Sequence, residues 1–447
     1  MPTPRALNGV HWSNGAQWSN EQALRVAGPT GAVTLLHFQL FPETWLPGTN
    51  IRMTGEDENC LWYGKMRQGF PPQGIPPMPE LFIHVRVYHP FSLSVDPGLM
   101  AERVADQLAH WRGSRDHADL RANLWDDPFL GVSSGNELNL HHENGDPAAG
   151  NQWQYQTVDH YKRVADWDMR FWDRIDQLVP QRKALRVSPA FADGHEPLGY
   201  PADGEYTIPE VRAMLEASDL VGIHPYAILH EQPESGATGK QAYWYMLRPF
   251  RPVKWETAQD LGGVVRQYPH KRFLVSESGT FTHSVKDPSV TAQTYNEMMQ
   301  FLRVASESQQ VCGVTWFIWN QDGAHARNSI WQNDELRWLL EHMPRWPAAD
   351  LPVATTSPVP PPHPSPGDPP MPEHQSNPHG YVVGDGFLKK ADELGWTLLS
   401  DEMYHDPQQP DAEAGRGAWS EAFCDQGRLY WHAALPVEGN VIAVPFA

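Results

Sequence analysis

The sequence predicts an α/β protein: a (β/α)8 TIM barrel, then a Pro-rich linker and a small C-terminal module. Three observations lead there. Short apolar runs alternate with amphipathic stretches about eight times within the first 345 or so residues, the order of a parallel barrel with intervening helices. No glycine-rich phosphate fingerprint follows the first run, so a doubly wound sheet lacks its usual support. The composition then changes near Pro352 and recovers after Pro378. Within that stretch Pro358-Val359-Pro360-Pro361-Pro362-His363-Pro364-Ser365-Pro366 is a polyproline II spacer, semi-rigid and unable to build a core. The expected divisions are a barrel over 1–349, a linker over 350–379 and a module over 380–447.

Leu7 to His11 is the first expected strand. Ser19-x-x-Gln22 is a capping box for a short helix ending at Gly28, and Ala32 to Phe38 is the second strand. Gln39 to Glu80 is a long loop carrying Trp45, Trp62 and Tyr63, and such loops are often functional, so a wall of a cleft is expected. Leu81 to Tyr88 alternates: Leu81, Ile83, Val85 and Val87 share one face, and Phe82, His84, Arg86 and Tyr88 the other. In a barrel the polar set faces the interior or its rim. A helix over Pro97 to Trp111 precedes the apolar run Phe129 to Val132.

Tyr155 to Leu178 is the clearest helix. Val158, Tyr161, Val164, Trp167, Phe171, Ile175 and Leu178 recur at three- and four-residue steps, and Pro180 stops it. Ala184 to Ser188 is a strand, Thr207 to Ala217 a helix with Pro209 near its start, and Leu220 to Tyr226 a strand. Trp255 to Tyr268 reads as a helix, Phe273 to Gly279 as a strand and Ser289 to Ala305 as a helix. Val311 to Trp319 is the last barrel strand and Asp334 to His342 the last helix. Beyond the linker, a helix over Gly386 to Leu394 and strands over Gly427 to His432 and Val441 to Pro445 suggest an α+β or β-rich module.

The net charge of -20 disfavours a nucleic acid as partner but would not repel a neutral polymer. Nineteen Trp supply flat apolar surfaces suited to sugars, although a large core uses most of them. Cys60, Cys312 and Cys424 form no Cys-x-x-Cys, so neither a structural zinc nor a disulfide framework is expected. His141-His142 lies in a polar loop without a matching carboxylate-His helix; no metal and no cofactor is expected. The start has no apolar h-region and no run is long enough to cross a membrane. The expectation is a soluble chain without a classical export signal: cytoplasmic by default, with secretion or a phage-associated location as alternatives.

Two apolar runs end in a carboxylate. Leu274-Val275-Ser276-Glu277-Ser278-Gly279 and Leu130-Gly131-Val132-Ser133-Ser134-Gly135-Asn136-Glu137 both place glutamate at a strand's carboxyl end. They lie about 140 residues apart, roughly half of an eight-stranded barrel, so both point into the mouth where barrel active sites sit. Singly, each could be a capping or ion-paired glutamate. Together, two convergent carboxylates are what glycosidic bond cleavage needs.

Asn136-Glu137 closing the fourth strand, His224-Pro225-Tyr226 the sixth and Ser276-Glu277-Ser278-Gly279 the seventh, with Trp316 and Trp319 on the eighth, carry a family likeness. The chain resembles the retaining (β/α)8-barrel glycoside hydrolases of the cellulase-like superfamily, clan A type, over about residues 7 to 345. Many such enzymes carry Asn-Glu-Pro where this chain has Leu138. The resemblance implies Glu137 as general acid/base and Glu277 as nucleophile. It implies Asn136 as donor to the sugar 2-hydroxyl and Tyr226 as donor to Glu277. His224 and Arg86, with His84 and His11, are expected to line the substrate floor. Trp319 is the expected sugar platform and Trp316 the second choice; by alternation the two cannot both face the same way. The implied partner is a carbohydrate, a β-linked poly- or oligosaccharide, with the C-terminal module binding glycan or a cell surface. The alternatives are a cell-wall or phage-associated lytic glycosidase acting on amino-sugar polymers and a non-catalytic carbohydrate-binding barrel.

Overall fold

Eight of the short apolar runs pair edge to edge and close on themselves in the computed structural model. They are β1 (Gly9–Trp12), β2 (Ala32–Gln39), β3 (Phe82–Tyr88), β4 (Leu130–Ser133), β5 (Leu185–Val187), β6 (Leu220–Ile223), β7 (Arg272–Thr280) and β8 (Val311–Trp316). Each pairs in parallel with the next, and β8 returns to β1 through Val10 and Trp316. The fold is therefore a closed (β/α)8 barrel.

Described residues are 4–12, 17–39, 63, 66–69, 74–88, 93, 95–109, 111–112, 121–140, 157–192, 200, 203–227, 246–251, 261–280, 288–317, 319 and 330–355, plus four strands near the C-terminus. Helices α1 (Gln17–Ala27), α2 (Pro97–Ala109), α3 (Val158–Leu178), α4 (Pro209–Ala217), α5 (Val264–Gln267) and α6 (Pro288–Ser308) lie in the connections, and α7 (Asp334–Glu341) follows β8. No helix among the described residues is long and apolar enough to cross a membrane.

Helix α3 shows how local chemistry sets its limits. The Thr157 side chain accepts from the His160 N–H, satisfying one orphan donor of the first turn. Tyr161, Val164, Phe171 and Ile175 are buried, whereas Leu178 at the end of the same stripe is 41% exposed. Helix α5 is much shorter than the periodicity suggests. Gly262 takes a positive φ of 73°, which ends any helical run before Gly263 and leaves a single turn after it. Residues 255–260 of that expected helix lie outside the described set.

Strand β3 explains the barrel's interior. Ile83, Val85 and Val87 pack outward in the main hydrophobic core with the helices. On the other face, Phe82 joins Ala32, Leu185, Val187, Leu220, Leu274 and Cys312 in an apolar layer at the foot of the barrel. A Cβ at Gly131 would stand 2.5 Å from the Phe82 ring, so β4 needs glycine there for that ring to fill the layer. Two residues on, His84 lies in a layer of hydroxyls, and two further on Arg86 reaches the mouth.

The foot is closed by chain that the composition assigns to the linker. The first unit runs to Pro360, not to residue 349. The Ala349 N–H donates to the Val311 carbonyl and Leu351 packs on the foot layer. Thr355 donates twice to Asp219, from its N–H at 2.8 Å and its hydroxyl at 2.6 Å, and its carbonyl accepts from Arg182. The aromatic part of the 39–80 loop that is described also belongs to the foot. The Tyr63 hydroxyl and Arg67 both donate to Asp127, just before β4 begins, so Tyr63 does not wall the mouth. Trp45 and Trp62 lie outside the described residues.

The second unit, Pro361–Ala447, contains a four-stranded antiparallel sheet of Met403–His405, Trp419–Phe423, Gly427–His432 and Val441–Pro445. The expected helix over Gly386 to Leu394 lies outside the described residues.

Candidate active site

Polar side chains gather where β1, β3, β4, β6 and β7 end. Glu277 on β7 is buried, and each of its oxygens is held separately. Arg86 bonds Oε1, and His11 Nε2 lies 3.2 Å from the same oxygen without hydrogen-bond alignment. The Tyr226 hydroxyl donates to Oε2 at 2.5 Å, and His224 Nδ1 lies 3.7 Å from it. Tyr226 is in place because Tyr226–Ala227 adds a short parallel pairing to Gly279 and Thr280 of β7.

Charge decides the ionisation of Glu277. Burial alone pushes its carboxyl up, but the Arg86 guanidinium, the largest opposing influence, outweighs burial with help from the ring nitrogens of His224 and His11 and holds it well below the usual carboxylate range. Burial, with Arg86 nearby, pushes the His11 imidazole down to about 4, so its contact with Glu277 is that of a neutral ring. Burial and the neighbouring Glu277 push the Tyr226 phenol well up, so it remains a donor.

Glu137 sits where the chain turns off β4. Its φ is 39°, a left-handed conformation that costs a non-glycine residue about 1 kcal/mol or more and tends to persist at functional sites. The turn is held by the Leu140 N–H donating to the Glu137 carbonyl. Glu137 is half-buried, and its Oε1 lies 2.9 Å from His224 Nδ1. One oxygen of Glu137, one of Glu277 and a nitrogen of His224 lie within 4.8 Å of one another. Such a donor set could in principle hold a cation. Arg86 already occupies Glu277 as its positive partner, which makes a second positive charge there unfavourable.

Asn136 precedes Glu137 and its Oδ1 accepts from Arg86 at 2.5 Å. Arginine has only donors, so the amide oxygen must face it and the Nδ2 group is turned elsewhere. The structure thus brings together Glu137, Glu277, Asn136, His224, Tyr226, Arg86 and His11.

Three expected site residues lie differently. His84 sits one layer below Arg86, with Nδ1 3.3 Å from Thr34 Oγ1 and Nε2 3.1 Å from Ser133 Oγ. Both nitrogens are engaged by buried hydroxyls, so His84 supports the floor and does not line it. Trp316 points outward: its ring meets Phe301 of α6 at 5.9 Å, as alternation from the inward Thr315 requires. Trp319 stays at the mouth end of β8, where its N–H donates to the His11 carbonyl, but the residue is only 1% exposed.

Sequence reasoning missed Phe317, whose ring lies 5.0 Å from His11 and 5.9 Å from Tyr226. It also missed a buried hydroxyl layer of Thr34, Ser133, Ser276 and Thr315. Thr315 Oγ1 is 3.0 Å from Thr34 Oγ1 and 2.6 Å from the Ser276 carbonyl. Phe317 was the most findable of these, lying between the two tryptophans at a strand end.

No protein-family model matches the sequence, and no curated protein does. Among solved structures the chain is similar to a GH128 (subgroup II) endo-beta-1,3-glucanase from Pseudomonas viridiflava, at 14% identity and a TM-score of 0.38, over 77% of this chain and 100% of that one. It is similar to a GH5_18 protein from Streptomyces cattleya in complex with Manb1-4GlcNAc, at 16% identity and a TM-score of 0.45, over 78% and 83% of the two chains. It is also similar to a family 5 xyloglucanase from Paenibacillus pabuli, at 10% identity and a TM-score of 0.40, over 75% and 98%. A fold hosts many chemistries, so identity this low leaves the reaction to the side chains at the mouth.

Proposed function

We propose that the chain is a glycoside hydrolase. More narrowly, it is a retaining enzyme that cleaves β-glycosidic bonds in a poly- or oligosaccharide by double displacement. The observation that carries this is that one oxygen of Glu137 and one oxygen of Glu277 lie within 4.8 Å of each other at the mouth of a barrel. Retaining carboxyl pairs stand about 5–5.5 Å apart, whereas inverting pairs need about 6.5–9.5 Å to admit a water.

In this reading the ionised Glu277 attacks the anomeric carbon while Glu137 gives its proton to the departing glycosidic oxygen. The bond to the leaving sugar breaks and a glycosyl ester forms on Glu277. The carboxylate left on Glu137 then takes a proton from water as that water's oxygen attacks the anomeric carbon. The ester bond breaks and Glu277 recovers its charge. Arg86 and Tyr226 hold the nucleophile ionised and oriented before attack. Asn136, its oxygen fixed by Arg86, presents Nδ2 to the sugar 2-hydroxyl. Phe317, packed against His11 and Tyr226, is the aromatic ring beside it, and the buried Trp319 backs that wall without facing the sugar. The C-terminal unit serves as an ancillary module for glycan or a cell surface.

The test is trapping. A panel of 2-fluoro β-glycosides, followed by peptide mapping, should label Glu277, and Glu277→Gln should abolish hydrolysis while the protein stays folded. Labelling of another carboxylate would overturn the assignment.

A further inference from the structure

Consecutive strand residues normally face opposite sides, yet Ser276 and Glu277 both reach the ring of His224. The register of β7 against β8 shifts between Val275 and Ser278. Such a bulge re-aims one side chain. As a result Ser276 Oγ lies 2.9 Å from His224 Nε2, while Glu277 Oε2 lies 3.7 Å from Nδ1. Ser276 is buried and fixed from below, where its carbonyl accepts from Thr315 Oγ1 at 2.6 Å.

The two sides of the His224 ring differ in kind. Nδ1 faces an oxygen of each glutamate: the ionised Glu277 can only accept, and Glu137 accepts through Oε1 with its catalytic proton on the other oxygen. Nε2 faces a hydroxyl, which can donate or accept. A neutral imidazole has one N–H. With the carboxylates on one side, the proton belongs on Nδ1, and Nε2 must then accept. We infer that Ser276 is a positioning residue that sets the tautomer of His224: its hydroxyl donates to Nε2 and so reserves Nδ1–H for Glu137. The bulge is the device that makes this possible, because it spares an inward position next to Glu277 for a residue that never meets the sugar. The consequence for catalysis rests on the proposed role of Glu137. The tautomer itself is a property of the resting protein.

The experiment therefore needs no substrate. Full-length protein labelled with 15N-histidine is examined at neutral pH, and the His224 ring is assigned by the resonances lost in His224→Gln. The expected wild-type pattern is a protonated Nδ1 and a bare Nε2. In Ser276→Ala the two nitrogens should move towards each other as the Nε2–H tautomer becomes populated, and Ser276→Thr, which keeps the hydroxyl, should restore the wild-type pattern. A wild-type ring protonated on Nε2 or on both nitrogens overturns the inference, even if the alanine variant fails to fold. So does a Ser276→Ala ring identical to wild type. If the spectra behave as expected but no glycoside labels Glu277, the catalytic reading fails and the role of Ser276 stands.

Discussion

Replacing Arg86 with Met isolates the charge that Glu277 depends on. Arg86 bonds Glu277 Oε1 directly and also fixes Asn136. Removing one partner of a buried ion pair costs about 3–5 kcal/mol, because the other charge is left uncompensated. Methionine fills similar volume, so the loss should be electrostatic. Its pH dependence follows from the sign of the shift. In wild type the Glu277 carboxyl is held below its ordinary value, so its contribution to stability is complete above the unfolded value and fades as pH falls through the folded one. In Arg86→Met, burial, the largest upward influence on Glu277, loses its main opponent. The carboxyl then rises, and the variant should lose stability relative to wild type as pH increases from the depressed wild-type value through the raised one, by at most about 1.4 kcal/mol per unit. Urea unfolding at several pH values measures this. A double-mutant cycle with Glu277→Gln should give a coupling of about 2–3 kcal/mol, since the second substitution removes the stranded charge. A pH-independent loss with no coupling would mean that Arg86 merely fills space, and the argument for an electrostatically poised nucleophile would fall.

Three further outcomes are expected. Glu137→Ala should lose about 10²–10⁴-fold on glycosides with poor leaving groups and less on activated aryl glycosides, with azide partly restoring the latter; equal losses without rescue would make Glu137 structural. With His11 held at about 4 in the fold against 6.5 unfolded, stability should fall as pH drops through that window, and His11→Gln should flatten the slope by up to about 1.4 kcal/mol per unit; an unchanged slope would locate the effect elsewhere. A chain ending at residue 349 should unfold several degrees below one ending at 360, because it loses Leu351 from the barrel foot and two hydrogen bonds to Asp219 worth roughly 1.5–3 kcal/mol each before ordering entropy offsets part; equal melting would refute the role of that segment.

The barrel was readable because each strand is a short apolar run bounded by turn residues, and because β3 alternates cleanly enough to orient Arg86. The glutamates were readable because a carboxylate ending an apolar run is costly without a purpose. The hydroxyl layer was not. Thr34, Ser133, Ser276 and Thr315 are common strand residues, and only the closed barrel turns them towards one another. The bulge at Val275 to Ser278 leaves no mark in the local pattern, so strict alternation cannot bring Ser276 and Glu277 to one ring. Alternation did discriminate between Trp316 and Trp319 but could not say which faces in, because that depends on Thr315 pairing with Thr34 across the interior. The foot segment was misplaced for a compositional reason: residues 350–355 look like the proline-rich stretch they lead into, and they bind through Leu351, Thr355 and backbone groups.

One strand gives the electrostatic logic of the whole site. Phe82, His84 and Arg86 stand about 7 Å apart along the inner face of β3, two residues per step. Phe82 seals the foot against water. That seal makes the next layer dry, and a dry layer disfavours a charged His84: burial, reinforced by Arg86 above it, pushes its imidazole well below the ordinary histidine value. The same holds for His11 across the mouth. With both rings neutral, the guanidinium of Arg86 is the fixed cation against Glu277, and the rings contribute orientation and dipoles. A charged His84 would instead repel Arg86 from below and disturb its contact with Glu277. The apolar foot, the neutral histidine and the ionised glutamate are thus successive consequences of one alternating sequence, Phe82-Ile83-His84-Val85-Arg86.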